Sequence, residues 1–274
     1  MKSLRASFII LLMLLYGYVF ILQEKHAQFK DITLENPIPV SLYRVASGYG
    51  RQLAAEMLFI KTAVFLGEVK QKAPNTSYAS ALENNFDAIT SLYPRFIDPY
   101  YFSQAYLPSL SRDAAEKNNN ILDTGITAFP KDFAFRLFKA INFILYLNEP
   151  LESARSFAET AAIADAPPLF GHLAAVFSAQ GGDIVAGLIS LKALLASEKD
   201  KGVRSRYQKE IAIFEQAVQV NDALIAYQKK NNAPPDDLNQ LVPEFIPAIP
   251  EIKDTFILVY NKPLLRLVRP TPLK

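Results

Sequence analysis

Apolar residues along this chain form first an unbroken run, then a long stretch with helical spacing, and finally a short stretch with alternation. Residues 6–22 (ASFIILLMLLYGYVFIL) carry no charge, and the run is near the short end of the ~17 to 25 residues that cross a bilayer as a helix. Asp31 to Pro39 (DITLENPIP) holds two prolines and predicts a linker. A helix is expected over 41–70, where Leu53, Met57, Ile60 and Val64 recur at spacings of four, three and four and share one face. Gly67 loosens its end, and Lys72 to Thr76 (KAPNT) predicts a turn. From there to about Asp200 the pattern is helix, break, helix, break, with breaks at Pro94, Asp98-Pro99, Pro130, Asn148 to Pro150, Pro167-Pro168 and Gly181-Gly182. A long helix is predicted over 202–231, with Tyr207, Ile211, Phe214, Val218 and Ile225 as its apolar stripe. The proline-dense segment from Ala233 to Pro250 predicts loops and one short helix starting at Asp236 or Asp237. Thr255–Tyr260 and Leu264–Val268, flanking Asn261-Lys262-Pro263, read as a β-hairpin.

Regular punctuation calls for a search for repeats. Starts at Pro99, Phe133 and Pro167 lie 34 residues apart, the length of a tetratricopeptide unit. Small residues let the two helices of a hairpin approach, aromatics fill the groove between hairpins, and proline ends the second helix. The third unit fits best: Phe170, Leu173, Ala174 and Phe177 in its first helix, Ala186 and Ala193 at the small positions of its second. The first unit offers Phe102, Leu122, Gly125 and Pro130, with Tyr106 where a small residue is usual. The middle unit offers Ala154, Ala158 and Ala161 and needs an insertion at the Asn148 to Pro150 turn.

Composition changes the picture at the amino terminus. Half the residues are hydrophobic and mean hydropathy is +0.09, an excess concentrated in residues 6–22. Lys2 and Arg5 precede the run, whereas the charges of Glu24, Lys25, Lys30 and Asp31 cancel, so the positive-inside bias keeps the amino terminus cytoplasmic and the rest outside. A cleaved signal peptide is the competing reading. It fits poorly, because only Ala27 is small after the run and Lys25 stands two residues before it. With no cysteine, a lipoprotein anchor, disulfides and thiolate metal sites are excluded. A net charge of +2 gives no sign of nucleic-acid binding.

The segments LYPRFIDPYYF, NILDTGITAFPKD, ESARSFAETAAIA and GGDIVAGLISLKALL, within residues 82–201, resemble divergent tetratricopeptide-repeat proteins of bacterial envelopes. The resemblance implies a protein-interaction scaffold held by one N-terminal helix. It also implies a groove lined by the first helices, and the family's groove register falls on Tyr100, Ser103 and Leu107, on Leu137, Ile141 and Ile144, and on Gly171 and Ala175. That face is apolar and lacks the lysine and asparagine of carboxylate-clamping members. Either a partner segment covers it or the chain's own helix over 202–231 packs into it, through Tyr207, Ile211, Phe214 and Val218; the second is favoured because the stripe is present in the same chain. The stretch DALIAYQKKNNAPPDDLNQLVPEFIPAIP is similar to a segment of type II secretion pseudopilins, although no prepilin processing signal is present.

Candidate chemistry is sparse. His26 and His172 are the two histidines and lie in different segments; His172 reads as an ordinary packing or surface residue. No GxSxG, HExxH, Walker A or dinucleotide fingerprint occurs. Asp236 and Asp237 suit capping, and Asn118 to Asn120 are expected at the start of a second repeat helix. Asn75-Thr76-Ser77 is a formal glycosylation sequon. Lys262, Arg266, Arg269 and Lys274 could form a basic patch, but a solvated hairpin face is the simpler account.

The sequence therefore predicts an all-α fold: a transmembrane anchor (1–30), a linker (31–40), a solenoid of antiparallel helix pairs of the tetratricopeptide kind (41–201), a capping helix (202–231), and a proline-rich segment with a β-hairpin (232–274). The expected function is a non-catalytic scaffold or assembly factor on the bacterial inner membrane, facing the periplasm. Its partners are proteins of the envelope and the bilayer itself through residues 6–22, with no cofactor, metal, nucleic acid or small-molecule substrate. The alternatives are an accessory structural subunit of a secretion or pilus-like machine, and an enzyme with an unrecognised site.

Overall fold

The computed structural model describes residues 12, 13, 15–19, 34–68, 78–252 and 255–270. The chain is mostly helical and closes with a small antiparallel β-hairpin. Of the expected anchor, only residues 12, 13 and 15–19 are described, all helical; the span as a whole lies outside the described residues. So do His26, the Lys72 to Thr76 turn, the sequon at Asn75 and Lys274. Among the described residues, no helix is long and apolar enough to cross a membrane.

Two compact units divide between Leu92 and Tyr93, inside the stretch expected to be one repeat array. The first contains α1 (Val40–Ser47), a 3-10 turn (Gly48–Gly50), α2 (Arg51–Glu68) and α3 (Ala79–Leu92). The single helix expected over 41–70 is broken because Gly48 adopts φ +47°, a conformation that costs glycine little and interrupts the helical ladder. A second correction concerns α2. Its buried face is Ala55, Leu58, Thr62 and Phe65, which packs on α3, whereas Leu53, Met57, Ile60 and Val64 are all more than half exposed. From α3, Asn85 anchors the linker by donating to the Glu35 carbonyl (2.9 Å).

The second unit contains α4 (Asp98–Tyr106), α5 (Arg112–Ala128), α6 (Phe133–Leu145), α7 (Pro150–Ala161), α8 (Pro168–Gln180), α9 (Ile184–Ser197), α10 (Lys201–Asn231), a 3-10 turn (Leu238–Leu241), β1 (Ile257–Asn261) and β2 (Leu264–Val268). Side chains at the N-caps start several of these helices by accepting a backbone N–H: Ser111 from Ala114, Asp132 from Ala134, Asp183 from Ala186 and Asp200 from Val203. Asp237 caps the 3-10 turn in the same way, accepting from Asn239 at 2.7 Å. From α4 to α10 each helix packs on its neighbour in sequence. A break at Pro108 between α4 and α5, which the sequence pattern did not predict, moves Asn118 and Asn119 from a helix start to the middle of α5.

The helix-pair contacts differ in detail from the expected motif. Ala158, Ala161 and Ala193 are exposed; the inward face of α7 is Ser153, Ala154, Phe157 and Thr160. In α9 the close approach falls on Gly187, where a Cβ would lie 2.7 Å from the Ala175 carbonyl oxygen and 2.7 Å from Phe214. The largest apolar cluster joins Ala175 and Ala179 of α8, Leu191 of α9 and Phe214 of α10 to Phe256, Leu265 and Leu267 around the hairpin. Each large side chain withdrawn there from water contributes about 1.5–3 kcal/mol. On α10 the buried face runs through Tyr207, Ile211 and Phe214 as expected, then turns toward Ala217, Val220 and Leu224, leaving Ile225 exposed. The turn follows from packing, since Leu241, Ile246 and Ile252 join that end of the cluster. Strand pairing puts Leu258 opposite Leu267 and Tyr260 opposite Leu265.

Candidate functional site

The eight residues of the expected groove do not share one open surface. Tyr100, Ser103, Leu107 and Ala175 are fully buried. The Tyr100 ring packs on Phe135 of α6, centroids 5.0 Å apart, and its hydroxyl donates to the Pro94 carbonyl at 2.9 Å. Burial pushes this phenol well above its ordinary range. Ser103 turns its hydroxyl back to the Tyr100 carbonyl (3.0 Å). The physical reason is aromatic packing: the Tyr100 ring fills the space left by Gly125 of α5 and meets Phe135 of α6, which turns this face of α4 inward. Ala175 faces α9 and joins the cluster built around Phe214, so α10 covers the α8–α9 pair. Leu137 packs instead beside Phe157 and Phe170, and Ile141, Ile144 and Gly171 are half-buried. Coverage by the chain's own long helix thus reaches α8 and α9, while α6 is packed by its sequence neighbours.

The most structured polar site is a cleft of about 740 Å³ between the start of α8, the first half of α10 and the segment flanking the hairpin. At its base lies Glu210, 3% exposed. His172 Nε2 is 2.7 Å from Glu210 Oε2, and Arg269 Nη2 donates to Glu210 Oε1 at 3.1 Å. The 3.5 Å separation between Arg269 Nη2 and His172 Nε2 is then an approach of two donors, and the carboxylate holds both. Tyr207 stacks on His172 with centroids 5.7 Å apart. The Arg206 guanidinium lies 5.3 Å from the Tyr207 ring centre, and that of Arg269 lies 5.2 Å from the centre of Phe256.

Both Glu210 oxygens are engaged, so this carboxylate fixes α8, α10 and the residue after β2 to one another. The accessible part of the cleft offers Leu169, Leu173 and Ile213 together with Glu198 and the exposed Arg206 and Lys209. Among the described residues, no group of three or more His, Cys, Asp and Glu could hold a metal ion.

A second polar cluster links α4, α5 and α6. Gln104 donates to Asn142 (2.9 Å), Asn118 donates to Gln104 (2.8 Å), and Asn142 donates to both Gln104 (3.1 Å) and Asn119 (2.9 Å). Asn118 Oδ1 and Asn119 Nδ2 remain buried without a partner. These amides couple consecutive helices, in place of the capping role expected for them. The described part of the basic tail is dispersed: Lys262 pairs with Asp236 at 2.7 Å, Arg269 pairs with Glu210, and Arg266 is half-buried with an unpartnered Nε.

Glu210 and Arg269 were missed as partners of His172. The signal for Glu210 was present: it stands three residues after Tyr207 and four before Phe214, on the apolar stripe, where an acid is costly unless paired. Nothing local marks Arg269, which meets Glu210 through tertiary folding alone. No family model matches the chain, and comparisons with curated proteins and with solved structures return no match.

Proposed function

We propose that this chain is a non-catalytic interaction scaffold of the bacterial inner membrane. Residues 6–22 anchor it, and its helix pairs form a short solenoid of the tetratricopeptide kind facing the periplasm. The observation that carries this reading is periodic nearest-neighbour packing. The first helices of three successive pairs begin at Asp98, Phe133 and Pro168, 35 residues apart each time, and each helix packs on the next in sequence. A stack of this type buries a core only through its neighbours and has to be capped, a role that suits α10 and the hairpin. Supporting the interaction role, Ile141 and Ile144 of α6 retain accessible apolar surface, and the Arg206–Lys209 cleft adds a charged, partly apolar lining.

The test is purification of the tagged full chain from detergent-solubilised membranes. A stoichiometric protein partner is expected, and its recovery should fall at least tenfold with Ile141→Arg or with paired Arg206→Glu and Lys209→Glu changes. Recovery of the chain alone after cross-linking in intact cells would overturn the scaffold reading. Extraction of the chain into the soluble fraction by alkaline carbonate would overturn the anchor.

A further inference from the structure

The apolar face of α2 that the first unit leaves uncovered has the order of a helix-pairing seam. Leu53, Met57, Ile60 and Val64 are 62%, 63%, 61% and 53% exposed. Their spacing of four, three and four is that of alternating d and a positions in a heptad, with Leu53 and Ile60 at d and Met57 and Val64 at a. The opposite side of the helix, Ala55, Leu58, Thr62 and Phe65, is already committed to the first unit's own core. The helix therefore carries two apolar faces and covers one.

We infer that this face pairs with the same face of a second copy of the chain, as a parallel two-stranded coiled coil. The flanking charges select both the occupant and its direction. In this register Glu56 occupies g and Lys61 the following e, the two positions that meet across a parallel pair. Two-fold symmetry makes that contact twice. In an antiparallel pair, g faces g and e faces e, which sets Glu56 against Ala63 and Lys61 against Ala54 and loses both ion pairs. A lipid surface fits less well, because helices that lie on membranes carry a Lys/Arg-rich polar face, whereas the side of α2 away from the seam is buried in protein. In the single chain Lys61 lies 3.3 Å from Glu35, both side chains at least half exposed. Such a surface contact holds little and can exchange for Glu56 of the second copy. Gln52 donates to Glu56 at 2.8 Å, likewise on the exposed surface.

Two heptads bury less than the ~800 Å² per partner typical of a stable interface, so the pair is weak in dilute solution and gains from confinement. The gain from confinement rests on the membrane anchor proposed above; the seam itself does not. Confinement to one bilayer raises the effective concentration of copies and sets their helices parallel.

The chain has no cysteine, which makes single-cysteine cross-linking clean. The full chain carrying Ile60→Cys or Met57→Cys is oxidised in native membranes and resolved without reductant. Both variants should give a band at twice the chain mass, at least fivefold stronger than Gln52→Cys, whose position c points away from the seam. Adding Glu56→Lys to the Ile60→Cys chain should reduce that band several-fold, and adding Lys61→Glu as well should restore it. The inference is overturned by equal cross-linking at residues 52 and 60, by failure of the double charge swap to restore the band, or by a cross-linked species of another mass. Protection of the Ile60→Cys thiol from maleimide without any dimer also overturns it, assigning the face to residues 1–33 or to lipid. Carbonate extraction of the same membranes separates the two readings. A soluble chain that still cross-links at seam positions, at raised concentration, sinks the anchor and leaves the pair.

Discussion

Gly187→Ala reverses the usual sign of a helix substitution. In the interior of an exposed helix, replacing glycine by alanine stabilises by about 1 kcal/mol, because alanine has less backbone freedom to lose. At Gly187 the added methyl would lie 2.7 Å from the Ala175 carbonyl oxygen and 2.7 Å from Cε1 of Phe214. Neither neighbour yields cheaply. The carbonyl belongs to the backbone of α8, and Phe214 is fully buried in the largest apolar cluster. Separating α8 from α9 or displacing the ring costs about 2–3 kcal/mol, the upper part of the range for overpacked cores, so the variant should be less stable by about 1–2 kcal/mol. Gly171→Ala supplies the control within the same helix pair. Its methyl meets only the Leu194 side chain, nearest at Cδ2, 3.0 Å away. That group is the far end of a side chain that can rotate, so this variant should be neutral or up to about 1 kcal/mol more stable. Urea unfolding of the detergent-solubilised full chain, followed by far-ultraviolet circular dichroism, measures both. A Gly187→Ala chain as stable as the parent would refute the close helix contact on which the packing of α8, α9 and α10 depends.

Other outcomes follow from the polar contacts. Glu210→Ala leaves His172 and Arg269 without their shared carboxylate and should destabilise by about 2–4 kcal/mol, whereas a fall below about 0.5 kcal/mol in the same urea assay would show that the cluster fixes nothing. Tyr100→Phe removes the donor to Pro94 and should cost about 1–2 kcal/mol. Because the folded-state pKa of this phenol is raised, stability is lost as pH climbs above its ordinary value of 10.0, and the phenylalanine variant should show a shallower loss in alkaline urea titrations. The hydrogen bond from Lys262, aided by its charge, holds the Asp236 carboxyl below its usual value. The contribution of that contact is present above the ordinary Asp pKa and fades as pH falls through the lowered one. Lys262→Met should move the Asp236 midpoint up in a carboxyl-resolved NMR titration, and an unmoved midpoint would refute the pairing.

Much of the second unit was legible because its breaks are written in residues with strong backbone rules. Proline at 99, 130, 150 and 168 and glycine at 181 and 182 mark where helices cannot continue, and observed boundaries fall within a few residues of each. The long helix and the hairpin were legible for a similar reason, namely continuous periodicity of one kind between clear stops. Facing direction was harder to read. Leu53, Met57, Ile60 and Val64 form a real stripe, yet apolar spacing shows only that residues share a face, and α2 carries a second such face at Ala55, Leu58 and Phe65. On α10, Ile225 continues the arithmetic of the stripe but not the packing, because the 3-10 turn and the hairpin draw the buried face toward Val220 and Leu224. At α4 the register landed on the packed side: Tyr100, Ser103 and Leu107 face the interior, and Tyr101, Ala105 and Tyr106 form the exposed side. The cleft was hidden since two of its three defining groups, His172 and Arg269, are separated by 97 positions and meet only in the folded chain.

The hairpin's place in the largest cluster bears on the order in which this protein can be made. Phe214 meets Phe256 edge-on, ring centres 5.3 Å apart, and Leu265 and Leu267 fill the same interior. A nascent chain that has reached only residue 231 has all of α10 but none of these partners, so Phe214, Val220 and Leu224 lack part of their cover. Helices α4 to α6 pack on partners already made, while α8 and α10 still lack their contacts with β2. Once residues 256–269 are present they cover this cluster, and Arg269 reaches Glu210. A chain truncated before residue 256 should therefore expose this apolar flank and be cut by protease faster than the full chain.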